Sequence, residues 1–383
     1  MKKIIFNLSI LFIIIVTMNG CLDYYITSHV YPNGKIERFF KVRGDYDMIH
    51  TSSSMKLPSD STWKIKTWWE LDDSTKSKPD SVYVYSASKV FKNYKKLNLE
   101  LAIDSTIYNQ VKTKVLLKRK FRWFYTFLEY KEIFEAYFPF HQIPADNFAT
   151  PEEIKYTLSD EDDYRFNPVK NIFEPLPIAD TTLVLTKNDS IRAKKLKEDI
   201  ENRVGEWQAR NIYNEFYLNI SQILRKKDKY AFNKLMHNKE ALYDSLDIKN
   251  VLDFDDDSDK IVSMIDTLIS KTSRLLGISG KLIQPSENFE MQGFLNKMYY
   301  QTINIWYQYH IKTVMPGEIL KTNSIELEEG NSTWNIAMKD FYVNDFDMTV
   351  ESRIVNKWAI VLSILISIIL IGTLVYGIGK RKK

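Results

Sequence analysis

YITSHVYPNGKIERFFKV, residues 25–42, decides how the chain begins to fold. Tyr24, Ile26, Ser28 and Val30 alternate with polar neighbours, and Ile36, Arg38, Phe40 and Val42 alternate again beyond Tyr31-Pro32-Asn33-Gly34. Side chains on a strand point to opposite faces in turn, so this spacing predicts two strands, each with one face toward a core. Between them, Pro presets one φ, Asn tolerates a left-handed backbone and Gly adopts it at little cost. A β-hairpin is predicted.

Upstream of the hairpin, the basic start Met1-Lys2-Lys3 leads into Ile4, Ile5, Phe6 and an apolar run from Leu8 to Val16 broken only by Ser9. A basic start, a short apolar core and a small residue before a cut site describe a secretory signal, here 1–20. Cys21 is the sole cysteine, which excludes an internal disulfide. Its place after Gly20, at the end of the apolar run, resembles a bacterial lipobox, in which the new N-terminal cysteine is acylated. Met18 and Asn19 depart from the usual aliphatic and small residues of that motif. Cys21 is therefore the expected lipidation site. An ordinary cleaved signal and an uncleaved anchor remain the alternatives.

At the other end, AIVLSILISIILIGTL fills 359–374 without a charge, between Trp358 and Tyr376. About 20 apolar residues cross a bilayer as a helix, and aromatic residues sit well at its two interfaces. A transmembrane helix is predicted over 357–379. Lys380, Arg381, Lys382 and Lys383 form a basic tail that the positive-inside rule places in the cytoplasm. Lys2 and Lys3 start on the same side, so the bulk of the chain is expected outside the cytoplasmic membrane. One spanning helix after an exported domain argues against a pore.

The exported part is long enough for one large domain or two. The chain of 383 residues is 27% charged and 14% aromatic, the latter high, with a formal net charge of +4 that includes both basic ends. An exported part close to neutral offers no footprint for nucleic acid. Residues 51–80 are rich in Ser, Thr, Lys, Asp and Pro and read mostly as loop, although Trp63, Trp68 and Trp69 need somewhere to pack. Leu97, Leu99, Leu101 and Ile103 alternate, as do Val111, Thr113, Val115 and Leu117, which predicts a second hairpin turning at 104–109.

The period then changes. Leu196, Ile200, Val204, Trp207, Ile212, Phe216, Ile220 and Leu224 line one face of a long helix. Asp228 is placed to cap a second, carrying Phe232 and Leu235, and a third runs from Ser258 or Asp259 to Gly277. Alternation returns at Ile303, Ile305, Tyr307, Tyr309 and Ile311, ends at Pro316-Gly317, and recurs at Trp334-Ile336-Met338 and Met348-Val350-Ser352. The expected fold is α+β: a mixed or antiparallel sheet drawn from both ends of the exported chain. Regions 21–187 and 301–356 are β-rich and 188–300 is a mainly helical insertion. No βαβ alternation or internal repeat is present.

The N-terminal hairpin resembles the opening of the LppM-like bacterial lipoproteins. VMPGEILKTNSIELEEGNSTWNIAM, followed by MTVESRI and the anchor, is similar to their closing stretch. In that family a Pro-Gly after a strand, an Asn, a Trp-bearing strand and an anchor recur in order, and Pro316, Gly317, Asn323 and Trp334 occupy those places. The resemblance covers about a quarter of the chain and lies in turns. It implies a surface-exposed, membrane-attached α/β domain, with lipid binding suggested for some members. The helical insertion departs from the family's simpler pattern.

Motifs that carry chemistry are missing: no GxSxG, HExxH, CxxC, Walker loop or GxGxxG occurs. His29, His50, His141, His237 and His310 are far apart, with no His or Cys partner at metal-ligand spacing. Asp253, Asp255, Asp257 and Asp259 fall at the first, third, fifth and seventh places of a calcium loop. Ser258 and Met264 stand where that loop needs Gly and a bidentate Glu. The stretch reads as a solvated acidic linker favouring the next helix's N-terminus, which leaves the four as weak metal candidates. Asp160 to Asp163 is a charged loop, and Arg43-Gly44-Asp45 closes a strand rather than serving adhesion.

From Phe121 to Phe140 the chain carries ten aromatic residues, among them Trp123, Phe124, Tyr125, Tyr130, Phe134 and Phe138. Core is the first reading of such a block. An apolar groove or membrane-facing surface is the second. No cofactor and no enzymatic activity are expected. The leading expectation is a structural or interaction lipoprotein of the cell envelope, with the membrane and another envelope protein as partners. A lipid- or glycolipid-binding module comes next, and an envelope hydrolase using paired carboxylates last.

Overall fold

The computed structural model describes residues 22–381 except 52, 73–79, 104–109, 141, 177–178, 180–184, 247, 249–257, 304–306, 325 and 329. The chain opens with β1 (Asp23–Val30), β2 (Ile36–Gly44), the short helix α1 (Tyr46–Thr51), β3 (Lys64–Asp72), β4 (Asp80–Phe91) and α2 (Tyr94–Leu101). It continues through β5 (Thr113–Phe121), β6 (Tyr125–Phe134), α3 (Pro151–Thr157), β7 (Tyr164–Asn167) and β8 (Ile172–Pro175). Helices α4 (Lys187–Lys227), α5 (Lys229–His237), α6 (Lys239–Leu246), α7 (Ser258–Leu276) and α8 (Phe289–Ile303) follow. Strands β9 (Gln308–Val314), β10 (Glu318–Thr322), β11 (Glu326–Glu328), β12 (Asn331–Ala337) and β13 (Phe346–Val355) lead to α9 (Lys357–Arg381).

The fold is α+β, as expected, with the strands divided between two main sheets instead of one. The larger has the order β11-β12-β9-β1-β2-β4-β3, the smaller β10-β13-β6-β5, and β7 and β8 form a separate pair. The opening hairpin forms as predicted, with Ile26 opposite Phe40 and Ser28 opposite Arg38. Gly34 takes φ +84° in its turn, and the Gly34 N–H donates to the Tyr31 carbonyl at 2.9 Å. On its other side β1 pairs in parallel with β9, so the large sheet joins the two β-rich regions that flank the helices.

The sheets face each other across one core that continues into the helices. Two short passages cross between them. After β9, Pro316-Gly317 delivers the chain to β10, whose Glu318 lies opposite Arg353 near the end of β13. After β12, residues 338–341 deliver it to the start of β13, where Phe346 lies opposite Phe134. β9 and β13 therefore both run toward α9, and β1, parallel to β9, runs the same way. The β1–β2 turn lies at the α9 end of the sandwich. Leu22, fully buried, lies at the far end.

Three expectations need correction. Residues 97–103 do not form a strand: α2 runs to Leu101, capped by the Asn93 side chain, which accepts from the Lys96 N–H at 3.1 Å. Leucines at every second position also satisfy a spacing of four, and Leu97 and Leu101 are buried while Leu99 is exposed. The true partner of β5 is β6, and the predicted turn at 104–109 lies outside the described residues. Residues 51–80 are not loop throughout: among the described residues 53–63 are irregular, and 64–72 form β3, an edge strand paired with β4. Of its neighbouring tryptophans only Trp63 is buried; Trp68 and Trp69 are exposed. Finally, Ile303 ends a helix, and the returning strand begins at Gln308.

The helical part is as the spacing predicts. Thr186 and Asp189 form a reciprocal capping box at the start of α4, and its inward face includes Ile200, Val204, Trp207 and Phe216. The Asp228 side chain accepts from the Tyr230 and Ala231 N–H groups, ending α4 and starting α5. α7 stops before Gly277, at φ +73°. The Trp207 indole N–H donates to the Ile143 carbonyl at 3.0 Å and its ring packs on Phe138, tying the bundle to the sandwich.

Candidate functional site at the sandwich–helix junction

Between β13 and α9 sits one residue, Asn356. Its carbonyl accepts from the Ala359 and Ile360 N–H groups and starts the helix. Its side chain does something else. The Asn356 amide NH₂ donates to the Arg122 and Trp123 carbonyls at 2.8 and 3.2 Å, and its Oδ1 accepts from the Thr126 hydroxyl at 2.9 Å. The Asn356 backbone N–H donates to the Phe124 carbonyl at 2.8 Å. Every polar group of Asn356 thus grips either α9 or the β5–β6 hairpin. Buried polar groups carry a cost unless they are paired, so this set holds helix and hairpin in one geometry.

The turn itself is tight. The Arg122 N–H donates to the Tyr125 carbonyl at 2.7 Å, and Trp123 and Phe124 project at the tip. Phe121 stacks on Trp358 at 6.1 Å with ring planes 7° apart, and Trp123 meets the same ring edge-on at 5.6 Å. The Trp123 indole N–H donates to Ser363 Oγ at 2.8 Å. Of the described α9 side chains, Ala359 alone is buried and Ser363 half-buried; they are four apart and face the hairpin. The other described side chains of the helix, through Leu374, are exposed. The aromatic block thus divides: Phe121, Trp123, Phe124 and Tyr125 are exposed at the tip, whereas Tyr130, Phe134, Phe138 and Phe140 are core.

A second cluster lies between the sheets. Arg38 Nη1 and Nη2 donate to the Glu132 carboxylate at 2.9 and 2.5 Å, and Nη1 also donates to Ser28 Oγ at 2.6 Å. The Tyr130 hydroxyl donates to Glu132 Oε2 at 2.7 Å, and its oxygen lies 2.9 Å from Ser28 Oγ. All four residues are fully buried. Burial works against the Arg38 charge, yet Glu132 outweighs it and raises the guanidinium above its ordinary value. Burial, followed by the Glu132 charge, pushes the Tyr130 phenol well above its usual range. Thr313 and Ser332 continue this row on β9 and β12, and their hydroxyls have no partner among the described residues. The arrangement pins one sheet to the other, with the Glu132 carboxylate fully buried.

Elsewhere the candidate residues are scattered. Cys21, Asp253, Asp255, Asp257 and His141 lie outside the described residues, and Asp259 belongs to the first turn of α7. Among the described residues no group of His, Cys, Asp and Glu is placed to hold a metal. His310 bonds Asn335 Oδ1 at 2.7 Å and stacks on Tyr25, His29 stacks on Tyr31, and His237 bonds its own helix. Asp45 of the Arg-Gly-Asp triplet caps α1 through the Asp47 and Met48 N–H groups. A surface cleft of about 220 Å³ lies beside Pro151, Asn344 and the Lys155–Asp340 ion pair, and one of about 100 Å³ beside Trp63 and Glu100.

No family model, curated protein or solved structure matches the chain. The site is therefore read from its own residues. Asn356 and the Arg38–Glu132 pair were not singled out by sequence. One signal was present: Arg38 and Glu132 each occupy an inward place on an alternating strand, where a charge is out of pattern.

Proposed function

We propose that this chain is an exported, membrane-anchored protein of a bacterial cell envelope with a structural or interaction role. The observation that carries this reading is α9. Its segment Lys357–Leu374 has a mean hydropathy of 2.3 and is only 6% buried, long and apolar enough to cross a membrane. An uncovered apolar surface of that length needs a partner, and hydrocarbon matches it along its whole circumference. Asn356 then makes the connection to the folded domain a rigid one. The basic residues beyond Gly379 support a cytoplasmic side for that end of the helix, with the sandwich and helices outside, and the lipobox-like place of Cys21 supports its acylation.

The resemblance to LppM-like lipoproteins supports the same reading at the level of architecture. Gly317 takes φ +84° where its Cα faces the Arg353 carbonyl, with no room for a side chain. The Asn323 side chain extends the β10–β13 pairing, donating to the Asp347 carbonyl at 2.7 Å and accepting from the Thr349 N–H at 2.9 Å. Trp334 is core.

Two reporter fusions test the topology. A reporter active only in the cytoplasm should work when fused after Lys383 and be silent when inserted near Asp256. Alkaline carbonate should leave the full chain in the membrane pellet and release residues 22–356 exported behind an ordinary cleavable signal that carries no lipobox. Release of the full chain, or the reverse reporter pattern, would overturn the proposal.

A further inference from the structure

The β5–β6 tip is exposed, aromatic and basic at once. Lys118, Arg119, Lys120 and Arg122 surround Phe121, Trp123 and Phe124, all of them exposed. Lys118 reaches Glu129 at 3.4 Å, while Arg119, Lys120 and Arg122 have no ion pair among the described residues. The depth of this tip is set by the Trp123–Ser363 hydrogen bond. At about 1.5 Å per residue, Ser363 lies about 9 Å down the helix from Lys357. The Trp123 ring therefore descends beside the first two turns of α9, while the backbone of residues 122–124 is held level with the helix start by Asn356.

We propose that the β5–β6 hairpin is a membrane foot: it enters the interfacial layer of the bilayer beside α9 and binds anionic phospholipid headgroups. This rests on α9 spanning a membrane. The bilayer is the occupant for three reasons. The aromatic tip is continuous with the helix that enters it, and Trp and Tyr rings favour the depth at which apolar chains meet headgroups. Four cations on one hairpin, joined by the exposed Lys357, complement phosphate-bearing headgroups of negative charge. Asn356 holds the hairpin in place before any lipid arrives, so little ordering is needed on binding.

The test uses the full chain with Cys21→Ser and one new cysteine, Phe124→Cys at the tip or Asn344→Cys at the far end. Each is labelled with a fluorophore and reconstituted into phosphatidylcholine vesicles with and without phosphatidylglycerol. Lipids spin-labelled near the headgroup should quench the probe at 124 and not the probe at 344. In neutral detergent micelles, fluorescent phosphatidylglycerol should transfer energy to the probe at 124 more strongly than fluorescent phosphatidylcholine does. Arg119→Ala, Lys120→Ala and Arg122→Ala together should weaken that phosphatidylglycerol signal roughly 10²-fold, since each surface cation contributes about fivefold. A chain that fails to enter vesicles would overturn the membrane reading beneath the proposal. An inserted chain whose 124 probe is unquenched would overturn the foot itself and leave the tip to a protein partner. Quenching with equal response to both lipids would overturn the anionic preference.

Discussion

At the scale of single residues, the pair that holds the two sheets together is Arg38 and Glu132. Both are fully buried, and each is the other's charge partner. Removing one partner strands a charge in the core, which is far more damaging than replacing both with apolar groups of similar volume. Arg38→Met alone should cost about 3–5 kcal/mol, seen as a lower urea midpoint for the full chain in detergent. Arg38→Met with Glu132→Leu should recover most of that loss. A single variant as stable as the parent would mean that the pair does not bear on the sandwich. The same pair shows what a binary pattern hides. Position alone places Arg38 inward, but only the neighbouring sheet supplies Glu132, ninety-odd residues on in sequence.

Among elements, turns were more legible than pairings. Tyr31-Pro32-Asn33-Gly34 announces its hairpin because the backbone demands of a turn are local. The α2 leucines mislead because one spacing serves two periods, and the Asn93 cap decides between them. The exposed part of the aromatic block could not be separated from its buried part by composition. Which rings face outward depends on the β5–β6 register and on α9 lying alongside. Two glycines separate local from tertiary demands. Gly34 and Gly317 share φ +84°, but a Cβ at 34 meets open space, while one at 317 meets the Arg353 backbone. Gly34→Ala should cost about 1–2 kcal/mol from the left-handed backbone alone. Gly317→Ala should cost clearly more, because a backbone carbonyl in a paired strand cannot rotate away. Thermal melts of the two variants check this, and equal melting temperatures would remove the case for close packing at 317.

For the whole molecule, the directions of β1 and β13 set the two ends apart. Leu22 is buried at one end of the sandwich and α9 leaves from the other. The eight residues of β1 span roughly 26 Å, so Leu22 lies about that far from the α9 end of the sandwich. With Cys21→Ser in vesicles bearing an acceptor dye, a fluorophore at Asn33→Cys should transfer more energy than one at Asn344→Cys, because the sandwich stands on α9. Restoring an acylated Cys21 should raise transfer from 344 by drawing the far end down. No change in a chain that takes up clickable palmitate would place the acyl group in a different bilayer. The sequence by itself determined the elements whose signals are local or compositional: the opening hairpin, the long helices with their caps, the apolar C-terminal helix and the α+β class. Tertiary structure decided the rest. The division into two sheets, the Arg38–Glu132 bond between them, the exposure of the hairpin tip and the grip of Asn356 each depend on segments far apart in the chain. No local periodicity records which distant surface a residue will meet.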